Sequence, residues 1–164
     1  MIRPATVDDV PVLVDLIVEL ATYEREPEQA QATAEQLTNA LFAPEPAVHC
    51  LIAADDASGD VVGFAVWFRT FSTWLGRHGV YLEDLFVRPA ARRGGHGRAL
   101  LSELARIAVE RGYGRVEWAV LNWNTDAQAF YTSIGAEPME EWTTWRLTGA
   151  ALPALGRESK PRVK

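Results

Sequence analysis

Two adjacent acids, Glu83-Asp84, stand inside the apolar, β-prone run Val80 to Arg88, and three glycines, Gly94, Gly95 and Gly97, follow among arginines. Pro89 closes the run, because proline cannot donate to a sheet ladder. Beyond the glycines, Leu100, Leu101, Leu104, Ile107 and Ala108 recur at helical spacing, which predicts a helix from about Gly97 to Glu110. A strand, a glycine-rich turn and a helix start together make an anion site. The first N–H groups of a helix have no internal acceptor and carry partial positive charge. Glycines let a phosphate come close to them. The stretch reads as a pyrophosphate cradle set beside a reactive carboxylate.

The charge distribution agrees. Residues 1–87 hold four arginines against fourteen acids, whereas residues 88–115 hold seven arginines against Glu103 and Glu110. A basic island in an acidic chain suits a bound polyanion at the island and a cation elsewhere. The island is too small, on too acidic a chain, for nucleic acid. Hydrophobic content of 48% and charged content of 23% are those of an ordinary globular protein. A single cysteine, Cys50, rules out a disulfide framework and a multi-cysteine metal site, and no metal is expected. No signal-peptide pattern precedes Ile2-Arg3-Pro4-Ala5 and no apolar run is long enough for a bilayer, so a cytoplasmic location without membrane contact is expected.

The elements that must position these groups can be read in order. Ile2 to Ala5 predicts a strand, and Thr6 caps a helix whose apolar face is Val10, Leu13, Val14, Ile17, Leu20 and Ala21, ending near Glu24. Thr33 caps a second helix, Ala34 to Phe42, stopped by Pro44 and Pro46. Val48 to Ala54 and Val61 to Phe71 make a hairpin around Ser58-Gly59, and a looser connection carrying Trp74 leads to the central strand. After the glycine loop and its helix, Gly112 supplies the terminating residue. Arg115 to Leu121 predicts a strand, Asp126 to Ser133 a short helix closed by Gly135, and Trp142 to Leu147 a final strand. The order βααβββαβαβ is mixed α/β: a central twisted mixed sheet flanked by helices. One domain over 1–149 is expected, with 150–164 a flexible tail.

Three readings of the loop compete. A Walker phosphate loop fails, because no Lys-Ser or Lys-Thr follows the glycines. A dinucleotide fingerprint is closer, but its third glycine position is Leu100, and Glu117 lies inside a strand rather than at its end. The glycines also suffice for a plain strand-to-helix turn.

The run Arg92-x-x-Gly95-x-Gly97 after Val87-Arg88-Pro89 resembles the acyl-coenzyme A pyrophosphate motif of the GNAT superfamily of N-acyltransferases, and the element order is similar from Ile2 to about Leu147. Arg3-Pro4-Ala5-Thr6, Glu19-Leu20-Ala21-x-Tyr23-Glu24, Val62-Gly63-Phe64-Ala65, Tyr81 to Val87, Trp123-Asn124, Phe130-Tyr131 and Trp145-Arg146-Leu147 resemble the diamine (spermidine/spermine-type) acetyltransferases and their thialysine-acetylating relatives.

The resemblance implies the roles. Acetyl-coenzyme A would be the acyl donor, with Leu85, Phe86 and Val87 on the pantetheine, Arg92, Arg93, Gly94, Gly95, His96, Gly97 and Arg98 on the pyrophosphate, and Asn124, Thr125, Asp126 and Ala127 as further contacts. The family's loop carries glycine where this chain has Arg93. Tyr131 would protonate the departing thiolate, and Glu83 would take the amine's proton through water. Alternation sends Glu83 and Asp84 to opposite faces, and the resemblance implies a bulge there that would re-aim them. Tyr23, Glu24, Trp74, Glu83, Asp84, Glu117, Trp118, Ala119 and Thr143 would line the groove for a small cationic amine. Ser72 and Thr143 replace acids of the polyamine enzymes, which favours a small diamine or a lysine-like amine over spermine.

The expected activity is direct acetyl transfer to a primary amine in a ternary complex, within a homodimer. Cys50 lies far from the site in sequence, which argues against an acetyl-cysteine intermediate. A protein or amino-acid acetyltransferase, and an acyl-coenzyme A-binding module without turnover, are the alternatives.

Overall fold

A computed structural model describes residues 1–159; contacts divide the chain into two compact units, Met1–Ala119 and Val120–Lys164.

In the first unit, β1 (Ile2–Pro4), β2 (Val48–Ala54), β3 (Val61–Ser72), β4 (Arg77–Val87) and β5 (Val116–Trp118) form one sheet in that order. Every pairing is antiparallel except β4 with β5, so the sheet is mixed, as the element order implied. Helix α1 (Val10–Tyr23) and α2 (Ala34–Phe42) precede β2, and α3 (His96–Glu110) joins β4 to β5. Two of the capping expectations hold: Thr33 and Gln36 form a capping box, and Gly112 takes φ +67° just past α3. Thr6 instead heads a 3-10 turn, Val7–Asp9, with which it forms a capping box through Asp9, and Asp9 is the N-cap of α1.

The buried face of α1 is turned slightly from the predicted one: Val10, Leu13 and Leu20 are on it as expected, Leu16 joins them, and Val14, Ile17 and Ala21 are only half-buried. Leu13, Leu16 and Leu20 pack with Leu41 of α2 onto Cys50, Ile52, Phe64 and Phe86, residues that alternate along β2, β3 and β4. The opposite face carries Leu51, Ala65 and Leu85, which share a register row, and α3 covers it with Leu100, Leu101, Leu104 and Ala108. A sheet covered on both faces reads as continuous apolar sequence, and five successive residues of β2, Cys50 to Ala54, are indeed buried. Arg3 forms a two-pronged ion pair with Asp9 (2.6 and 2.7 Å), tying β1 to the start of α1.

The second unit contains α4 (Thr125–Ser133), with Gly135 at φ +87° beyond it, and α5 (Ala151–Arg157). The expected final strand, Trp142 to Leu147, is absent: these residues form no ladder, and Trp145 is 91% exposed. Their tryptophans and threonines favour strands only where a pleated, half-covered surface receives them. The strand expected over Arg115 to Leu121 is likewise short, ending at Trp118. Helix α5 falls in the segment read as a tail; residues 160–164 of that segment lie outside the described residues.

Candidate active site

The central strand carries the bulge that the resemblance implied. Val66 pairs with Asp84 and Trp67 with Leu82, so Glu83 is an extra residue in β4 with no partner in β3. Tyr81 pairs with Phe68 and Asp84 with Val66, so the extra residue brings Tyr81 and Asp84 to one face although they are three apart. Glu83 is exposed and Asp84 half-buried.

At the same point the sheet opens. β4 pairs with β5 only from Val80 to Leu82, against Val116 to Trp118. From Glu83 onward, that edge of β4 has no ladder partner among the described residues. Leu85, Phe86 and Val87 continue the strand, bound to β3 on its other edge. Such an open edge accepts an extended chain through its main-chain groups.

Asp84 is the most perturbed acid here. Burial, then the charges of Glu83 and Glu24, push its carboxyl up to about 6. Burial alone raises Glu24. Tyr81 is raised by burial and by the charges of Glu83 and Glu117. Glu83 and Glu24 thus both act on Asp84 at the opening, and among the described residues no Arg or Lys is ion-paired with Asp84. Glu117, opposite Tyr81 in the ladder, is paired with Arg115 (2.7 Å). Trp118 ends β5, and Ala119 follows it.

The loop leads from β4 into α3. Pro89–Ala91 makes a single 3-10 turn, Arg93 takes φ +68°, Gly95 takes φ +80°, and α3 begins at His96. Nothing crowds the space a side chain at Gly95 would fill, so the left-handed backbone alone calls for glycine there. Arg93 adopts the same conformation without that freedom. Gly94 is tight instead: a Cβ would come within 3.2 Å of the Ala91 carbonyl oxygen. The amides of His96, Gly97 and Arg98 head the helix, with Arg93 and Arg98 exposed beside them. This set of donors and cations fits a pyrophosphate.

Arg92 does something the sequence did not reveal. Its Nε donates to the Val87 carbonyl oxygen (3.0 Å), and its guanidinium lies 4.5 Å from the Tyr23 ring centre and 5.8 Å from that of Phe86. It therefore joins the loop to the end of α1, where Glu24 follows. The structure brings together Tyr23, Glu24, Glu83, Asp84 and the glycine loop.

Trp74 is not brought there. It sits in the turn between β3 and β4, 87% exposed, and the strand from Arg77 to Glu83 separates it from the bulge by roughly 20 Å. Ser72 closes the same hairpin opposite Arg77. Tyr131, on α4 with its ring 5.6 Å from Phe130, belongs to the second unit, as do Thr143 and the α4 start. There Asn124 caps the helix, its side-chain oxygen accepting from the Ala127 amide (3.3 Å), and Thr125, Asp126 and Ala127 form the first turn. Cys50 is buried and pushed up to about 12, chiefly by burial, so it stays a thiol.

Comparison with known proteins places this geometry. Residues 13–136 match the family model "Acetyltransferase (GNAT) family". Among curated proteins, a thialysine N-epsilon-acetyltransferase of Bos taurus is 35% identical across 94% of this chain and 96% of its own length. The L-ornithine N5-acetyltransferase NATA1 of Arabidopsis thaliana is 34% identical across 95% of this chain and 87% of its own. Among solved structures, an integron cassette protein from the mobile metagenome of V. cholerae superimposes with a TM-score of 0.79 at 30% identity, covering 96% of this chain and 97% of that one.

Proposed function

From the premise that this chain belongs to the GNAT acetyltransferase family, we propose that it moves an acetyl group from acetyl-coenzyme A to a primary amine of a small cationic acceptor. The acceptor is a short diamine or a lysine-like amine. The observation that carries this reading is the group of three carboxylates, Glu24, Glu83 and Asp84, at the point where β4 leaves β5 and beside the helix that the glycine loop starts. Uncompensated acids attract an ammonium ion. A GNAT acetyltransferase related to thialysine and ornithine acetyltransferases needs one there.

The pyrophosphate of the donor rests on the amides at the start of α3, with Arg93 and Arg98 beside it. The pantetheine runs along the free edge of β4 at Leu85 to Val87, and Asn124 to Ala127 add contacts. Asp84 and Glu24 hold the ammonium group, with Tyr23 as its aromatic wall. Glu83, exposed on the bulge, takes the proton through water. The neutral amine attacks the thioester carbon, the C–S bond breaks, and Tyr131 protonates the departing thiolate. Transfer is direct, since Cys50 remains an unreactive thiol. The enzyme works as a homodimer.

Thiol release from acetyl-coenzyme A, measured against thialysine, ornithine, lysine, putrescine, spermidine and spermine, tests the reading. Turnover with the short amines and a lower kcat/KM for spermine are expected. Release with none of them, or a preference for spermine, would overturn it. Tyr131→Phe separates an enzyme from a binding module: turnover should fall by about 100-fold with acetyl-coenzyme A still bound.

A further inference from the structure

At the other end of α3 the sheet carries a second charged cluster, of opposite sign, that the reaction does not use. Two adjoining cavities of about 250 Å³ each share His49 and Arg111 as a common wall. The first has Leu41, Phe42, Ile107 and Trp67 in its lining beside the shared His49 and Arg111. The second is cationic and holds Arg69 and Tyr113.

The sequence places these groups together by simple rules. His49 and Trp67 are directly opposite in the β2–β3 ladder, and their rings stack with centres 4.4 Å apart. Arg69 lies two residues beyond Trp67 and so shares its face. Arg111 caps α3 and lays its guanidinium 5.4 Å from the Trp67 ring centre. Burial and the charges of Arg111 and Arg69 lower His49, which places all three groups within electrostatic reach. Among the described residues neither arginine is in an ion pair, although the chain carries a net charge of −6 and acids are plentiful. Four other arginines of the first unit, Arg3, Arg88, Arg106 and Arg115, do have carboxylate partners. Two arginines without a carboxylate partner, one of them over the buried Trp67, beside a cavity that Leu41, Phe42 and Ile107 help to line, are suited to a planar oxyanion carried on an apolar body.

We infer that this is a binding site for a small organic anion, its carboxylate or phosphate group held by Arg69 and Arg111 beside His49, its apolar body over Leu41, Phe42 and Ile107. Helix α3 separates it from the glycine loop by its own length of roughly 22 Å, so the two anion sites are distinct. This inference does not depend on the acetyl acceptor or donor.

Three histidines make the test direct, because His96 reports the loop, His49 the new site, and His78 lies between β3 and Tyr113. Imidazole resonances are followed by NMR as phenyl phosphate, inorganic phosphate or benzyl alcohol is added. Phenyl phosphate should move His49 saturably, with a dissociation constant on the order of 1 mM or tighter for a ligand of this size. Inorganic phosphate should bind about tenfold more weakly, and benzyl alcohol should leave His49 in place at the same concentration. The Arg69→Gln/Arg111→Gln double variant should lose the His49 response to phenyl phosphate. Movement of His96 alone would overturn the proposal, since the anion would then occupy only the loop. Equal shifts from phenyl phosphate and benzyl alcohol in the unaltered protein would overturn it too, whether or not the variant folds.

Discussion

Asp9 and Asp84 are both drawn out of water in the same unit, and their protons behave in opposite ways. Asp9 receives both guanidinium nitrogens of Arg3 together with the amide and hydroxyl of Thr6, and is held down to about 2. Asp84 meets Glu83 and Glu24 instead and is pushed up to about 6. Burial raises both carboxyls; the neighbours decide the sign. One aspartate is neutralised by the fold and stabilises it. The other is left for something that is not part of the chain to neutralise. A half-buried acid whose charged neighbours are other acids is suited to a cation.

The largest consequence concerns turnover. Under the proposed function, Asp84→Asn should lower kcat/KM for a short cationic amine by about 100-fold, mostly through KM, because it would remove the charge set against the ammonium group. Asp9→Asn should leave kcat/KM within about twofold in protein that remains folded. Steady-state kinetics on the two variants decides, and equal losses would end the distinction between them.

Stability should move the other way, by a smaller amount. For Asp9 the carboxyl is lowered from 3.8, so its contribution is full above about pH 4 and disappears as pH falls towards 2. Asp9→Asn should therefore lose about 2 to 3 kcal/mol at pH 7. For Asp84 the carboxyl is raised from 3.8, so the folded form is favoured below about pH 4 and loses that advantage as pH rises through 6. Asp84→Asn should gain about 2 kcal/mol at pH 8 and almost nothing at pH 4. Urea unfolding at the two pH values reads both signs.

The same titration should shape the rate. Below pH 6 the wild-type kcat/KM should fall by up to tenfold per pH unit as Asp84 takes up a proton, and Asp84→Asn should lack that limb. A limb of equal slope and midpoint in the variant would transfer the titration to another group.

How much of this could be read from the sequence follows from how local each feature is. The bulge was expected through the family resemblance; alternation keeps two adjacent acids in one apolar strand from both pointing into one pocket, but that conflict alone does not call for a bulge. The glycine loop was legible locally, its glycines falling between a strand pattern and a helix pattern. The raised carboxyl of Asp84 was not, because it depends on Glu24 at the end of a different element. Nor was the stacking of Arg92 on Tyr23, a contact between β4's loop and α1. Trp142 to Leu147 was misread because strand propensity records a fit to a sheet surface, which those exposed residues do not have. Helix α5 was missed because Pro153 looks like a breaker. It sits in the first turn, where a missing N–H has no acceptor to lose.

The smallest effect tests whether the contrast extends from charge to backbone. If groups at the site are held in states that the fold alone does not favour, the loop should show it as well, and Arg93 at φ +68° is the candidate. A left-handed conformation is unfavourable by about 1 to 2 kcal/mol for a residue with a Cβ. Glycine avoids this but gives up roughly 0.5 to 1 kcal/mol of chain entropy on folding. Arg93→Gly should therefore stabilise the protein by about 0.5 to 1 kcal/mol, visible as a higher urea midpoint at unchanged slope. Its affinity for coenzyme A should drop by only a few-fold, since one exposed cation is lost while the amides at the head of α3 remain. A lower midpoint would mean that Arg93 contributes more to the fold than its backbone strain removes, and the loop would then belong with Asp9 rather than with Asp84.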